Sequence, residues 1–449
     1  MNTNRPLTAL VPESPKAARR SATRQNLPLL LALMVLFTLT GLGEGFRNPP
    51  PGTFNLGRSG GRIAHIDDSS AVHQNPANLV DLKHTEVQFT PSIVYMGVEF
   101  DSSLVPGQSS KTEDPWKFLP NLFWAMPLEN TNIAIGLGIT APFGLSVNWD
   151  NEGTSAFAPG GVLRYTAAHY NELMTMNFNP TVAFRLTENL SVGLGLDVMW
   201  SRLTLKQYYP WLIFPGSGGA EPDGTLKGQG DGFGFGGNLG FTWKITERQT
   251  LAVTYRSQMD VDYDGDLTID NITPTAAGFG ATPRSDFSSG IDFPNMVAIG
   301  YGIKLSDTIR LEADVEWIQF SRFKTLDVDI GNNNFLLPAS NRSIPQNWRD
   351  TFTVGIGGDW QFTERWVLRA GYQYYQSPTP DSTYSPTIPD ADQNVFTLGL
   401  GYRSGHHSFQ IGYGLDFYDK RNVSTINPAF NGKYDITVHL FSLAYALSF

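Results

Sequence analysis

Residues 439–449 read HLFSLAYALSF, and they divide cleanly by parity. His439, Phe441, Leu443, Tyr445, Leu447 and Phe449 are large and mostly apolar, whereas Leu440, Ser442, Ala444, Ala446 and Ser448 are mostly small. A period of two is the signature of a strand, because successive side chains point to opposite faces. The pattern recurs. Val253, Tyr255, Met259, Val261, Tyr263 and Leu267 oppose Thr254, Arg256, Gln258 and the aspartates 260, 262, 264 and 266. Leu311, Ala313, Val315 and Trp317 oppose Arg310, Glu312, Asp314 and Glu316, and residues 408–417 repeat the scheme. A soluble β-barrel would bury the apolar face, whereas a membrane barrel turns it to lipid and keeps a polar interior. Periodicity alone does not choose between the two.

The ends of the chain favour the membrane barrel. Arg5, Lys16, Arg19, Arg20 and Arg24 precede an apolar run from Leu27 to Leu39, with Gly41 and Gly43 after it. A basic region, an apolar region and small residues make a secretory signal. The alternative is a membrane anchor, but the run is shorter than the ~20 residues a spanning helix needs. Residues 1–43 are therefore expected to be a signal peptide, with the mature protein starting near Glu44. The aromatic last residue contrasts with the polar, frayed ends of soluble domains. The formal charge of −10 argues against a nucleic-acid partner, and the absence of cysteine excludes disulfides and thiolate metal sites.

Turns give the strand number. LENTN (128–132), LTENL (186–190), ITERQ (245–249), LSDTI (305–309) and FTERW (362–366) recur roughly every 58 residues, and RSGHHS (403–408) follows. Long Gly/Pro/Asn/Ser segments lie between them. Short turns on one side and long loops on the other are an outer-membrane pattern. Six short turns join twelve strands; the first, near 85–100, and the last, 434–449, make fourteen. The expectation is an all-β chain: a fourteen-stranded antiparallel transmembrane β-barrel over 84–449. Residues 44–83 do not alternate. Asn75 before Pro76 is an N-cap followed by an N1 proline. This segment is expected to fold into the barrel mouth as a hatch.

With these residues set out, the chain resembles the FadL-type outer-membrane transporters of long-chain fatty acids and other hydrophobic compounds. The similar stretches include GF (45–46), NPA (75–77), APFGL (141–145), NPTVAFRLTENLSVGLGL (179–196), VEWIQFSRFKTL (315–326) and IPDADQNVFTLGLGY (388–402). The resemblance implies a fourteen-stranded barrel with an N-terminal hatch at Asn75, Pro76 and Ala77. It implies passive import through a lumenal pocket, hatch rearrangement and lateral exit at the third strand. There Ala141, Pro142, Phe143 and Gly144 interrupt the alternation; Pro142 lacks a ladder donor and Gly144 permits a bend. It also places a ligand-binding lysine at Lys324, through Trp317, Phe320 and Lys324. The basic residue that the family uses on the fifth strand is replaced by Gln207, which leaves neutral hydrocarbons open beside fatty acids.

The residues themselves suggest where a ligand sits. The inward face of the ninth strand runs Arg310, Glu312, Asp314 and Glu316, then Ile318 and Phe320, then Arg322 and Lys324. The fifth strand passes from Asp197 to Met199, Leu203 and Leu205. Inward apolar side chains on two walls make a pocket for an acyl chain, with packing against loops as the alternative. Asp260, Asp262, Asp264 and Gly265 resemble the start of a calcium loop, but Asn271 stands where a bidentate glutamate would close it; a lumen-facing ladder of charges is the expectation. GRSGG (57–61) lacks the strand and helix of a nucleophile elbow, and GFGFGG (232–237) lies in a strand without a βαβ unit. No catalytic residue, metal site or cofactor is expected. The expected partners are a hydrophobic ligand, outer-membrane lipid and the barrel assembly machinery, which reads the last strand; the chain is expected to be a monomer. A general diffusion porin, or a structural or receptor protein, is the alternative function.

Overall fold

A computed structural model describes residue 1 and residues 45–211, 222–278, 280–331 and 342–449. The expected signal peptide lies outside the described residues apart from Met1. Among the described residues no helix is long and apolar enough to cross a membrane. The chain crosses with strands instead: among the described residues one sheet holds 23 segments, of which 22 form fourteen wall strands and the short Arg421–Val423 pairs beside the last.

The first strand is Glu86–Phe89 with Ser92–Ser102, and the second is Ser109–Lys111, Trp116–Leu119 and Leu122–Pro127. The third is Ile133–Thr140 with Gly144–Asn148; the fourth, fifth and sixth are Tyr170–Arg185, Leu190–Tyr209 and Gly224–Thr246. The seventh is Gln249–Arg256 with Met259–Ile269, and the eighth is Arg284–Phe293 with Met296–Lys304. The ninth is Ile309–Ile318 with Thr325–Ile330, and the tenth is Arg342–Pro345 with Thr351–Gln361. Trp366–Tyr375, Gln393–Ser404, His407–Tyr418 and Gly432–Ser448 are the eleventh to fourteenth. Each pairs antiparallel with its sequence neighbour. The barrel closes where the fourteenth meets the first, with Leu447 opposite Val87 and Phe441 opposite Ile93.

The two faces of the last strand follow its parity. Phe441, Leu443 and Tyr445 are exposed on the outside, and Leu440, Ser442, Ala444 and Ala446 are buried inside. The outer band holds Leu194, Leu196, Phe233, Phe235, Ile299, Val315, Phe396, Leu398 and Ile411, all exposed. The inner face is largely polar: Asn177, Asp197, Thr242, Arg256, Glu312, Glu316, Asp359, Arg369 and Gln410 are buried. This inversion belongs to a barrel whose solvent outside is hydrocarbon.

Two of the expected faces are corrected. The seventh strand breaks at Ser257 and Gln258, where Ser257 exchanges hydrogen bonds with Gly237 and Gln258 with Asn295. Two residues leave the ladder, and the phase reverses. Tyr255 is exposed below the break, yet above it Met259, Val261, Tyr263 and Leu267 are buried, while Asp260, Asp262 and Asp264 stand exposed on the outer surface. The aspartates are thus an outward ladder on an extended strand, neither lumen-facing nor in a loop. The ninth strand is likewise interrupted by the 3-10 turn Phe320–Arg322. After it Phe323 and Leu326 are buried and Lys324 is exposed, so Arg322 and Lys324 do not continue the inward row. Arg322 instead donates to Asp260 at 2.7 Å.

Residues 45–82 run along the inside of this wall, and most are buried. They form short turns, Thr53–Gly57, Ala71–Gln74 and Pro76–Asp81. The Asn75 side chain caps the last of these by accepting from the Ala77 N–H at 3.1 Å, and its amide donates to the Ile63 carbonyl at 2.7 Å and to Thr242 Oγ1 at 2.9 Å. Glycines on the wall admit this close approach. A Cβ at Gly193 would lie 2.4 Å from the Pro76 carbonyl carbon, and one at Gly240 would lie 2.2 Å from Asn75 Oδ1.

Candidate functional site

The third strand changes partners half-way. Its lower part, Ile133–Thr140, is paired on both sides, to the second and the fourth strands. Above Ala141–Phe143, Gly144–Asn148 keeps only the fourth. On the other side Trp116–Leu119 pairs only with the first strand. The second and third strands meet again where the Glu113 N–H donates to the Asn148 carbonyl at 2.6 Å and Thr112 bridges Trp149. Between those levels the ladder is open.

Freed backbone groups inside a barrel need partners, since an unmet buried group costs about 1–3 kcal/mol. Here residues 46–48 supply them. The Asn48 N–H donates to the Pro142 carbonyl at 3.0 Å, and its side-chain amide to the Ala141 carbonyl at 3.0 Å. The Gly144 N–H donates to the Phe46 carbonyl at 2.8 Å, and Arg47 bridges Phe143. A Cβ at Gly144 would fall 2.9 Å from the Asn48 amide nitrogen, so a larger residue there would push the Asn48 side chain aside. The third strand has replaced one wall neighbour with the N-terminal segment.

The side chain of Phe46 enters an apolar cluster inside the barrel. Met199 and Leu203 from the fifth strand, and Ile318 and Phe320 from the ninth, meet there, with Leu205 packed at the margin. The apolar groups named from the sequence on those two strands are therefore brought together. Phe46 stacks on Trp348 at 5.0 Å and meets Phe293, Phe320 and Phe323 edge-on at 5.5–5.8 Å. Gly45 has φ +65°, and a Cβ there would overlap Trp348 at 2.5 Å. Gln207 stands apart, its amide donating to the Tyr165 carbonyl at 2.7 Å. Lys324 is exposed rather than buried with the cluster. Sequence reading placed Phe143 at the exit rather than in this cluster, and missed Phe46, Leu173, Phe293, Phe323 and Trp348. The GF dipeptide was the only available signal for the first of these.

Below the cluster the N-terminal segment is held by charge. Arg47 forks onto Glu316 at 2.7 and 3.1 Å, and Arg62 reaches the same carboxylate at 3.0 Å. Arg58, fully buried, bridges Glu312 at 3.1 Å and Asp359 at 2.7 Å. Glu312 also accepts the N–H groups of Ile63, Ala64 and His65 at 2.6, 2.5 and 3.1 Å. Burial lowers the pKa of His65 to about 4; Glu312 opposes this and Arg58 reinforces it. The inward acidic row of the ninth strand is thus the socket of residues 47–65: Glu312 and Glu316 are matched by arginine side chains, and Asp314 accepts the Arg62 backbone N–H at 2.7 Å.

Above this seat lies a cavity of about 460 Å³. Val94, Met96, Val395, Val438 and Leu440 line it from the lumen, and Trp116, Phe118, Met174 and Trp200 line it from the outer, lipid-facing side. Ala141, Phe143, Gly144 and Leu145 lie between. One cavity therefore touches both faces of the wall, at the level where the second and third strands are unpaired.

The sequence pattern of the family described as "Outer membrane protein transport protein (OMPP1/FadL/TodX)" matches residues 38–449. A "Long-chain fatty acid transport protein" of Escherichia coli O6:H1 is 25% identical over 409 residues, covering 83% of this chain and 86% of that protein. The "Putative outer membrane protein NMB0088" of Neisseria meningitidis serogroup B is 26% identical over 377 residues, covering 76% and 79%. Among solved structures, a Pseudomonas aeruginosa FadL homologue superposes with a TM-score of 0.75 at 22% identity, covering 90% of this chain and all of the other. The Pseudomonas putida toluene transporter TodX superposes with 0.71 at 17% identity and the same coverage. The chain belongs to the OMPP1/FadL/TodX family of transport proteins and is a protein of the bacterial outer membrane.

Proposed function

We propose that this chain carries hydrophobic molecules, long-chain fatty acids or hydrocarbons, passively across the outer membrane and releases them sideways at the third strand. The observation that carries this reading is the single cavity lined from both faces of the wall beside Ala141–Leu145. Exposing each buried CH₂ to water costs about 0.8 kcal/mol, so a long chain gains from a route that never leaves apolar surroundings. An open ladder beside Trp116 and Phe118 is such a route.

Residues 45–83 act in this reading as a hatch with a fixed base and a movable rim. Arg58, Arg62 and Asn75 hold the base. Phe46 to Asn48 are the rim, since they join the apolar cluster to the backbone of Ala141–Gly144. A ligand entering the cluster of Met199, Leu203, Leu205, Ile318 and Phe320 displaces Phe46 and loosens the third strand with it. Gln207, already engaged, and Lys324, exposed, leave an uncharged ligand as acceptable as a carboxylate. The relatives named for fatty acid and for toluene transport support both classes. The chain works as a monomer, and its last strand addresses the barrel assembly machinery.

Replacing Pro142 and Gly144 together with valine tests the exit. Valine at 142 restores a ladder donor, and valine at 144 displaces Asn48. The expected result is a barrel that assembles and binds ligand but takes up little hydrophobic substrate. Unchanged uptake by that folded variant eliminates exit at this place.

A further inference from the structure

The cavity beside Ala141–Leu145 is lined, among the described residues, by five charged side chains: Arg47, Asp114, Lys117, Glu172 and Asp416. Both cations are already engaged. Arg47 forks onto Glu316 at 2.7 and 3.1 Å. Lys117 stands at the upper rim, where its ammonium donates to the Asp114 carbonyl at 2.7 Å and faces the carboxylates of Asp114 and Glu172. The third carboxylate lies deeper. Asp416 is 5% exposed, and its cross-strand neighbours on the two sides are Val395 and Val438, which line the cavity with it.

The approach to this cavity adds no cation. The described members of the apolar cluster around Phe46 are all uncharged. Gln207 holds the fifth-strand position and Lys324 is exposed. The loop segments 212–221 and 332–341 contain neither lysine nor arginine. A carboxylate on this route would exchange water for apolar walls and meet a second carboxylate, Asp416, on the way.

In water an alkyl carboxyl titrates near the glutamate value, about 4.3. Burial without a counter-charge raises such a pKa by about 3–5, and a like charge in the same space raises it further. At neutral pH the ionised head group is therefore the disfavoured form inside, whereas a protonated acid, an alcohol or an alkane meets no such penalty. We propose that the species carried along this route is uncharged: a fatty acid passes as its protonated acid, and Asp416 opposes the carboxylate. The head group takes its proton from water at the extracellular mouth and returns it to water once it reaches the membrane surface. This inference rests on the reading of the cavity as the exit.

The test compares a long-chain fatty acid with the alcohol of the same chain length, as initial uptake by cells carrying the full chain at pH 6, 7 and 8. Uptake by cells whose Leu145→Cys barrel is coupled to a bulky polar maleimide is subtracted. Above its pKa a carboxyl loses its acid form tenfold per pH unit, so the ratio of acid to alcohol uptake should rise roughly tenfold for each unit from pH 8 down to pH 6. Asp416→Asn should raise the ratio at pH 8 by roughly tenfold, the worth of one pKa unit. A wild-type ratio that stays flat between pH 8 and pH 6 shows that the carboxylate itself is carried and overturns the inference. A folded Asp416→Asn barrel with the wild-type ratio overturns the role given to Asp416. Alcohol uptake that persists through the labelled Leu145→Cys barrel is a different result: it overturns the exit reading, and this inference falls with it.

Discussion

The backbone N–H of Gly144 donates to the carbonyl of Phe46 at 2.8 Å. One hydrogen bond thus links a wall strand to the N-terminal segment, at the residue whose side chain fills the apolar cluster. In the proposed route, displacement of Phe46 by ligand therefore loosens the third strand with it.

Phe46→Ala removes a ring that meets five aromatic neighbours. The loss costs about 3–5 kcal/mol of packing, but the vacated space is lined by Met199, Ile318 and Phe320 and is apolar. Such space stays dry and accepts apolar ligands. Affinity for a fluorescent fatty acid or an alkane should rise, by at least roughly tenfold, because no side chain must be displaced first. Weaker binding in a folded variant would show that Phe46 builds the site rather than occupying it.

Arg58→Ala leaves Glu312 and Asp359 buried and short of their shared cation. Breaking one partner from such a pair costs about 3–5 kcal/mol. The base of the hatch should loosen while the barrel persists. Asn78 is buried, so a cysteine there should resist a bulky thiol reagent in the otherwise wild-type chain. It should react in the Arg58→Ala background as fast as one at the exposed loop residue Gly107. Equal protection in both backgrounds would remove Arg58 from the anchoring role.

His65 supplies a pH dependence. Its folded pKa of about 4 lies below the unfolded value of 6.5. Between those values the unfolded segment binds a proton that the docked one refuses, so docking is fully stable above pH 6.5 and weakens as pH falls towards 4. The loss reaches roughly 3 kcal/mol at the lower end. Protection factors of residues 60–70, that is exchange rates corrected for the intrinsic slowing of exchange with falling pH, should drop from pH 7 to pH 5 and should lose most of that dependence in His65→Gln. A variant with the wild-type slope would place the titration elsewhere.

The strands were legible because lipid outside and water inside force a period of two, and because short turns punctuate it. The register of faces was less so. Two residues, Ser257 and Gln258, reverse the upper seventh strand, and the Phe320–Arg322 turn does the same on the ninth. Nothing in local composition marks such a break, since Met259 and Asp260 suit either face by themselves. Met199, Leu203, Ile318 and Phe320 stood out because apolar groups facing a polar lumen are anomalous. Phe46 and Trp348 did not, because they lie in irregular segments without periodicity. Pro142 and Gly144 marked the bend, but its partner, Asn48, is 93 residues away in the chain.

The central claim is that ligand leaves through the wall between the second and third strands. The chain has no cysteine, so one introduced at Leu145 can be labelled alone. Leu145 lines the cavity within the unpaired stretch, whereas Leu398 faces lipid on the twelfth strand. The measurement is uptake of a radiolabelled long-chain fatty acid by cells carrying Leu145→Cys or Leu398→Cys, before and after coupling a bulky polar maleimide. The account predicts that labelling Leu145→Cys stops uptake and labelling Leu398→Cys does not. Full uptake through a labelled Leu145→Cys barrel would contradict it.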